Sequence, residues 1–404
     1  MRQSNPDPRS IRQSLKALVL SVLCLNPVWA DDTEIFFGIG TRQEAQANIL
    51  LVLDASESMN QTDNGPTSRL ERMNTAMAAV INSTSNVNMG VIRFSNKDSG
   101  GRVIYPVRDI EARICGGVPC GLENEDAAGG ENTVRQEIID EMNGMVMQWT
   151  TPTVGGLMEA YNYYAGRPVD YGTKRWFFPG SRNEQGENSR VSHPESYTGG
   201  NVVRTQLCED EADPSHPACS SEVIEGSPVY KSPIANECQS NHILLVTDGL
   251  PTPENRAVTD ATNLVGGSCK NTPLRGNRGA CAVELAQYMA NNDMRPDATS
   301  GIPGLQTVTT HTIGFNLDSP WLEDIAHSSG GEYFTADSSD QLVAALKRII
   351  DSVTLAESGS FVSPGITVDQ FSRLSHREDV YFSLFSPSIS PRWSGNLKLS
   401  LIHI

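Results

Sequence analysis

Ile49-Leu50-Leu51-Val52-Leu53-Asp54-Ala55-Ser56-Glu57-Ser58 decides how this chain reads. An unbroken apolar run has no polar face, which is the pattern of a strand covered on both sides in a parallel sheet. It ends abruptly on a carboxylate and two hydroxyls at alternate positions. A second run of the same kind, Ile243-Leu244-Leu245-Val246, ends on Thr247-Asp248-Gly249. Met89 to Phe94 and Val308 to Ile313 read as further strands. Between them, Leu70, Met73, Met77 and Val80, and later Leu342, Leu346, Ile349 and Val353, recur at helical spacing. Ser319-Pro320 offers an N-cap and a first helical residue, and Gly330-Gly331 a stop. Strands alternating with helices predict an α/β fold, an open and mostly parallel sheet with helices on both faces.

In such sheets ligands bind beyond the carboxyl ends of the strands. Asp54, Ser56 and Ser58 leave one buried strand there, and Asp248 leaves another on the same edge, with Gly249 allowing a tight turn. Thr150-Thr151-Pro152-Thr153 precedes a helix containing Leu157, Ala160 and Tyr161, and Pro152 suits its first turn. Two carboxylates with neutral hydroxyls form a hard oxygen donor set. They suit a divalent cation, Mg²⁺ first and Mn²⁺ or Ca²⁺ as well, that keeps some water and one position open for a partner's carboxylate. Strand-end caps and turns use the same residue types. Three such elements at matching strand ends favour the metal.

Asp54-x-Ser56-x-Ser58, Thr151 and Asp248 resemble the metal-ion-dependent adhesion site of von Willebrand factor A domains, over roughly residues 48–355. The resemblance implies a Rossmann-like sheet, with the two serines and the threonine as ligands and the aspartates binding directly or through water. Glu57 stands where the family often has glycine and adds a charge beside the metal. Thr150 and Thr153 compete with Thr151, which is preferred because it directly precedes the proline.

The flanks add context. Arg2, Arg9, Arg12 and Lys16 precede an apolar run from Ala17 to Leu25, and Val28-Trp29-Ala30 provides a cleavage site. Residues 1–30 therefore read as a secretory signal peptide, with residues 31–355 as the main domain. Four basic residues and one acidic residue leave with the leader, taking the formal charge from −17 to −20. So acidic a chain disfavours nucleic acid and anionic lipid, and no later apolar run is long enough to insert in a membrane. Export implies disulfides, and the spacing suggests Cys115–Cys120, Cys208–Cys219 and Cys269–Cys281, with Cys238 left over. Two polar insertions, 167–240 and 251–280, read as surface loops tied down by these bridges.

Residues 356–404 read as a linker followed by β-rich sequence such as Val380 to Phe385. There Arg392-Trp393-Ser394-Gly395-Asn396-Leu397-Lys398 resembles a segment of the PilC/PilY family of type IV pilus tip proteins. Ala160-Tyr161-Asn162-Tyr163-Tyr164-Ala165-Gly166-Arg167-Pro168-Val169 resembles the same family. In that family the former segment opens a C-terminal β-propeller, whereas this sequence stops at Ile404, so the β-rich region is expected to be truncated. The resemblance implies an exported, non-catalytic adhesion or assembly factor of the pilus tip. Its partner would be a minor pilin, a host protein or another surface protein that offers a carboxylate. A secreted adhesin unrelated to pili is the alternative. A metal-dependent hydrolase is a weaker one, since no G-x-S-x-G, H-E-x-x-H or P-loop appears, the histidines are scattered, and Glu57 is the one base in view.

Overall fold

The computed structural model describes residues 46–401 except 64, 96–99, 116–117, 120–131, 146, 176–190, 205–221, 238, 268, 270–277, 358–360, 369–375 and 387–393. The leader, the Cys115–Cys120 and Cys208–Cys219 pairings, Cys238 and Trp393 lie outside the described residues.

Six strands form the central sheet. In chain order they are β1 (Ala47–Leu53), β2 (Val87–Phe94) and β3 (Gly101–Asp109), then, after a hairpin of β4 (Tyr197–Val203) and β5 (Val223–Tyr230), β6 (Asn241–Thr247), β7 (Thr309–Phe315) and β8 (Tyr333–Ala336). The spatial order is β8-β7-β6-β1-β2-β3. Every neighbouring pair is parallel except β2 and β3. The first strand lies in the middle, and the chain builds outward from it in both directions. The order therefore reverses between β1 and β6, which opens a crevice at their carboxyl ends.

Seven helices pack on this sheet: α1 (Arg69–Ser83), α2 (Val134–Asn143), α3 (Thr153–Tyr164), α4 (Asn255–Val265), α5 (Ala282–Asn291), α6 (Pro320–Ser328) and α7 (Ser339–Glu357). The pleat of β1 divides the core. Leu50 and Val52 face one cluster, with Leu157 of α3, Ala261 of α4, Leu285 of α5 and Leu322 of α6. Ile49, Leu51 and Leu53 face the other, with Met73 and Met77 of α1, Ile138 of α2 and Leu346 of α7. Each fully buried aliphatic side chain contributes about 1.5–3 kcal/mol, so Ile49–Leu53 are apolar on both faces and the alternation of a half-exposed strand is absent. α1 is closed at its start by a capping box in which Ser68 Oγ accepts from the Glu71 amide at 3.2 Å and Glu71 returns a carboxylate to the Ser68 amide at 2.7 Å.

β3 and α2 carry no clear pattern in the sequence. β3 contains Pro106, which cannot donate to a ladder and is tolerated because this strand is the sheet edge. The register against β2 slips between Met89 and Ile92, beside Pro106 and Val107. Gly90 permits that bulge, since a Cβ there would lie 2.6 Å from the Val107 nitrogen. The amide freed by the bulge donates instead to the Tyr163 hydroxyl at 2.8 Å.

The described parts of the two insertions form secondary structure and core. Within 167–240, β4 and β5 pair antiparallel, and Tyr197, Ile224 and Tyr230 enter the α3 side of the core. Their anchor is Glu159 on α3, fully buried, which accepts from the Tyr230 hydroxyl at 2.6 Å and the Gly172 amide at 3.1 Å. Burial raises the Glu159 carboxyl above its ordinary range, and these donors work against that rise. Within 251–280, α4 buries Ala257 and Ala261, residues small enough to escape notice as a core face. The predicted Cys269–Cys281 disulfide is present and ties the chain after α4 to the start of α5. Beyond α7, β9 (Phe361–Val368), β10 (His376–Ser386) and β11 (Ser394–Leu401) form an antiparallel sheet, as the alternating sequence there predicts. Among the described residues no helix is long and apolar enough to cross a membrane.

Candidate functional site

The crevice at the reversal point is built by three loops. The first leaves β1. Its Asp54 is fully buried, and the Asp54 amide continues the sheet by donating to the Val246 carbonyl at 3.0 Å. One carboxylate oxygen accepts from the Ser56 amide at 2.7 Å, which folds the loop back over the strand end. The other accepts from the Thr247 hydroxyl at 2.5 Å, which joins this loop to β6. Ser56 and Ser58 then lie side by side, with their hydroxyl oxygens 3.0 Å apart.

The second loop leaves β6. Asp248 accepts from the Ser58 hydroxyl at 2.5 Å. The third precedes α3 and is pinned to the first, because the Gln148 amide donates to the Ala55 carbonyl at 2.5 Å and Gln148 bridges Ser56. It is pinned to the second as well, the Thr252 amide donating to the Thr151 carbonyl at 3.1 Å. A Cβ placed on Gly249 would stand 3.3 Å from Ser58 Oγ and 3.5 Å from Thr151 Oγ1, so both hydroxyls converge where Gly249 leaves room. Asp54, Ser56, Ser58, Thr151 and Asp248 thus come together from three loops far apart in sequence.

The electrostatics of this cluster are uncomfortable without a cation. Burial, and then the neighbouring Asp248 carboxylate, push the Asp54 carboxyl up to about 7. Burial likewise raises Asp248, while Ser58 and Arg69 oppose the shift. Among the described residues no three His, Cys, Asp or Glu side chains converge, so a metal here would depend on the hydroxyls. The donor set fits that demand: two carboxylates and three hydroxyls, all hard oxygen ligands.

Sequence reasoning missed five residues that shape the site: Arg69, Asp63, Arg72, Asn316 and Glu254. Arg69, at the start of α1, donates to Asp248 at 2.8 Å and holds Asp63 with Nε and Nη2 at 2.8 and 2.6 Å. Arg72 also pairs with Asp63, and the Asn316 amide reaches the same carboxylate at 2.6 Å. Asp63 is consequently held well below its ordinary carboxylate range, chiefly by Arg69. Glu254, almost wholly buried, accepts from the Val154 and Gly155 amides at 2.9 Å each. It therefore caps the first turn of α3, the helix that follows Thr151, from a different loop. No spacing rule connects these pairs, whose separations run from six to 253 residues. Glu57 lies exposed at the mouth, lining a cavity of about 470 Å³ with Ser58, Asn60 and Gln61.

Residues 49–117 match the family model described as von Willebrand factor type A domain. The fold is that of a von Willebrand factor A domain, a mostly parallel six-stranded sheet with helices on both faces. No curated protein matches. Among solved structures, the conserved hypothetical protein BatB from Bacteroides thetaiotaomicron is 14% identical, with 76% of this chain and 97% of that chain covered and a TM-score of 0.36. The PilB minor pilin from Streptococcus sanguinis is 14% identical, with 76% and 62% covered and a TM-score of 0.35. Proximal thread matrix protein 1 from the mussel byssus, with a zinc-occupied MIDAS motif, is 11% identical, with 76% and 45% covered and a TM-score of 0.34.

Proposed function

We propose that this von Willebrand factor A domain holds one divalent cation through Asp54, Ser56, Ser58, Thr151 and Asp248 and uses it to clasp a carboxylate on a protein partner. The observation that carries the reading is the convergence of those five side chains at the point where strand order reverses, with two buried carboxylates in need of positive charge. When bound, the cation supplies an electrophilic position with an open coordination site. The residues divide the remaining tasks. Thr247 and the Ser56 amide orient Asp54. Arg69 and Ser58 orient Asp248, and Arg69 already matches part of its charge, which suits contact through water rather than directly. The role is binding without turnover. Mg²⁺ is the ion we assign, and the donor types also accept Mn²⁺ or Ca²⁺.

Within that reading, the chain serves as an exported adhesion or assembly factor of the type IV pilus. Support for this finer statement comes from the sequence segments Ala160–Val169 and Arg392–Lys398, which resemble pilus tip proteins, and from the leader-like residues 1–30. Asp248→Ala in the source organism, introduced into a strain lacking the gene, tests it. The variant should be exported normally yet yield fewer surface pili or weaker attachment. Normal piliation and attachment in the strain lacking the gene would discard the pilus role and leave a secreted adhesin of another kind.

A further inference from the structure

Among the described residues five large hydrophobic side chains are exposed: Trp149, Val203, Val229, Leu250 and Leu305. Two of the five, Trp149 at 51% and Leu250 at 48%, belong to the loops that build the candidate site. Trp149 follows Gln148, which is pinned to Ala55 and Ser56, and precedes Thr151 by two positions. Leu250 follows Gly249, which lies against Ser58 and Thr151, and precedes Thr252, whose amide donates to Thr151. Both side chains therefore stand on the second and third loops of the crevice, on chain segments fixed by hydrogen bonds to the site itself. Single exposed apolar residues are ordinary on a protein surface. Two at one ligand mouth, on held loops, give an apolar surface that a partner can cover, and tryptophan is among the residues that most often carry binding energy at interfaces.

The first loop contributes the opposite character. Glu57, Asn60 and Gln61 are exposed around the cavity beside Ser58. The mouth is therefore asymmetric, apolar where Trp149 and Leu250 stand and acidic and amide-lined beside Ser58. The chain carries a formal charge of −17, so a partner's carboxylate is repelled by the surface at large and attracted at the cation. A point attraction does not fix which segment binds or how it lies.

We infer that Trp149 and Leu250 form a specificity rim, and that the partner is a protein segment presenting a carboxylate with an apolar side chain within two residues of it and a basic group on the Glu57 side. This rests on the metal-site reading above. The carboxylate meets the cation, the apolar neighbour covers Trp149 and Leu250, and the basic group pairs with Glu57.

The test uses the full chain immobilised in Mg²⁺, a library of phage-displayed twelve-residue peptides, and elution by EDTA. Metal affinity is measured separately by calorimetry on the wild type, Trp149→Ser and Leu250→Ser, with thermal melts to check folding. Both changes lie at exposed positions. The expected result is that EDTA-eluted peptides carry Asp or Glu within two residues of Leu, Ile, Phe or Trp, enriched for nearby Lys or Arg. Each variant should keep its Mg²⁺ affinity while binding the best such peptide about tenfold more weakly or worse. Glu57→Gln should lose preference for the basic residue alone. If the wild type binds no Mg²⁺, the metal-site reading itself fails. If Mg²⁺ binds but the eluted peptides lack an apolar neighbour, or the variants bind them as the wild type does, the rim is overturned and the metal site stands. Absence of any EDTA-eluted peptide with Mg²⁺ bound also overturns it, as does metal-independent saccharide binding lost in Trp149→Ser.

Discussion

Glu254→Gln is the most informative single change to the scaffold of the site. The native carboxylate is 1% exposed and accepts one amide on each oxygen, Val154 on Oε2 and Gly155 on Oε1, both at 2.9 Å. Glutamine has the same shape but only one acceptor, so its amide group must face one of the two backbone N–H groups. One charge-assisted hydrogen bond, worth about 1.5–3 kcal/mol, is lost, and one buried donor is left facing another donor at a further cost of about 1–3 kcal/mol. These costs overlap, and removing a negative charge from a helix N-terminus adds a little more, for a total of about 2–4 kcal/mol. Gly155 leaves no slack to absorb the change, because a Cβ there would already meet the Gly100 Cα at 2.6 Å. Urea unfolding followed by circular dichroism should show a lower midpoint with an unchanged slope, and the thermal midpoint should fall by roughly 4–12 °C. Because the cap ties the 248–254 loop to the helix after Thr151, Mg²⁺ affinity should fall as well, by about tenfold. Unfolding of the variant at the wild-type urea concentration would refute the claim that Glu254 holds these two loops together.

Two further predictions concern charge near the sheet. Arg69→Met removes a cation 2.8 Å from Asp248 and should tighten Mg²⁺ binding by roughly tenfold while destabilising the metal-free protein, which is left with an unmatched buried carboxylate; weaker Mg²⁺ binding by calorimetry would refute this and show that the orientation Arg69 gives Asp248 outweighs its competing charge. His242 and His311, ring nitrogens 3.2 Å apart, are lowered by burial to about 3 and about 4, so the folded protein keeps both neutral while the unfolded chain protonates near 6.5. Their contribution is whole above pH 6.5 and shrinks as pH falls toward 4, by about 1 kcal/mol each between pH 6.5 and 5.5. The raised Asp54 carboxyl acts oppositely in the metal-free protein, its contribution fading as pH rises through about 7, so ring-proton magnetic resonance is the cleaner readout; titration of either ring near 6.5 in the folded state would refute their burial.

How much of this was legible in the sequence depended on whether the cause was local. Ile49–Leu53 and Ile243–Val246 announce themselves because, buried on both faces, each run carries no polar residue. Asp54, Ser56, Ser58 and Asp248 follow those strands directly, so their place at the carboxyl edge was readable from position alone. β3 was not, because Pro106 speaks against a strand until one knows that the strand lies at the edge. α4 was hidden by its core face of alanines and by the polar sequence around it. Glu254 sits next to the start of α4 yet caps α3, and Arg69 opens α1 yet serves Asp248. Such contacts are made by topology, and nothing at either end of the pair marks them beforehand.

The central claim is that Asp54, Ser56, Ser58, Thr151 and Asp248 bind one divalent cation, and titration calorimetry of the full chain with MgCl₂ and MnCl₂ after chelator treatment tests it most directly. The account predicts a single saturable site in the wild type. Asp54→Ala should abolish it while the sheet stays folded, at a cost of about 1–3 kcal/mol for the Ser56 amide and Thr247 hydroxyl left without their acceptor, and Ser56→Ala should weaken it. The absence of a saturable site in the wild type, or affinities in both variants equal to the wild type, would contradict the claim.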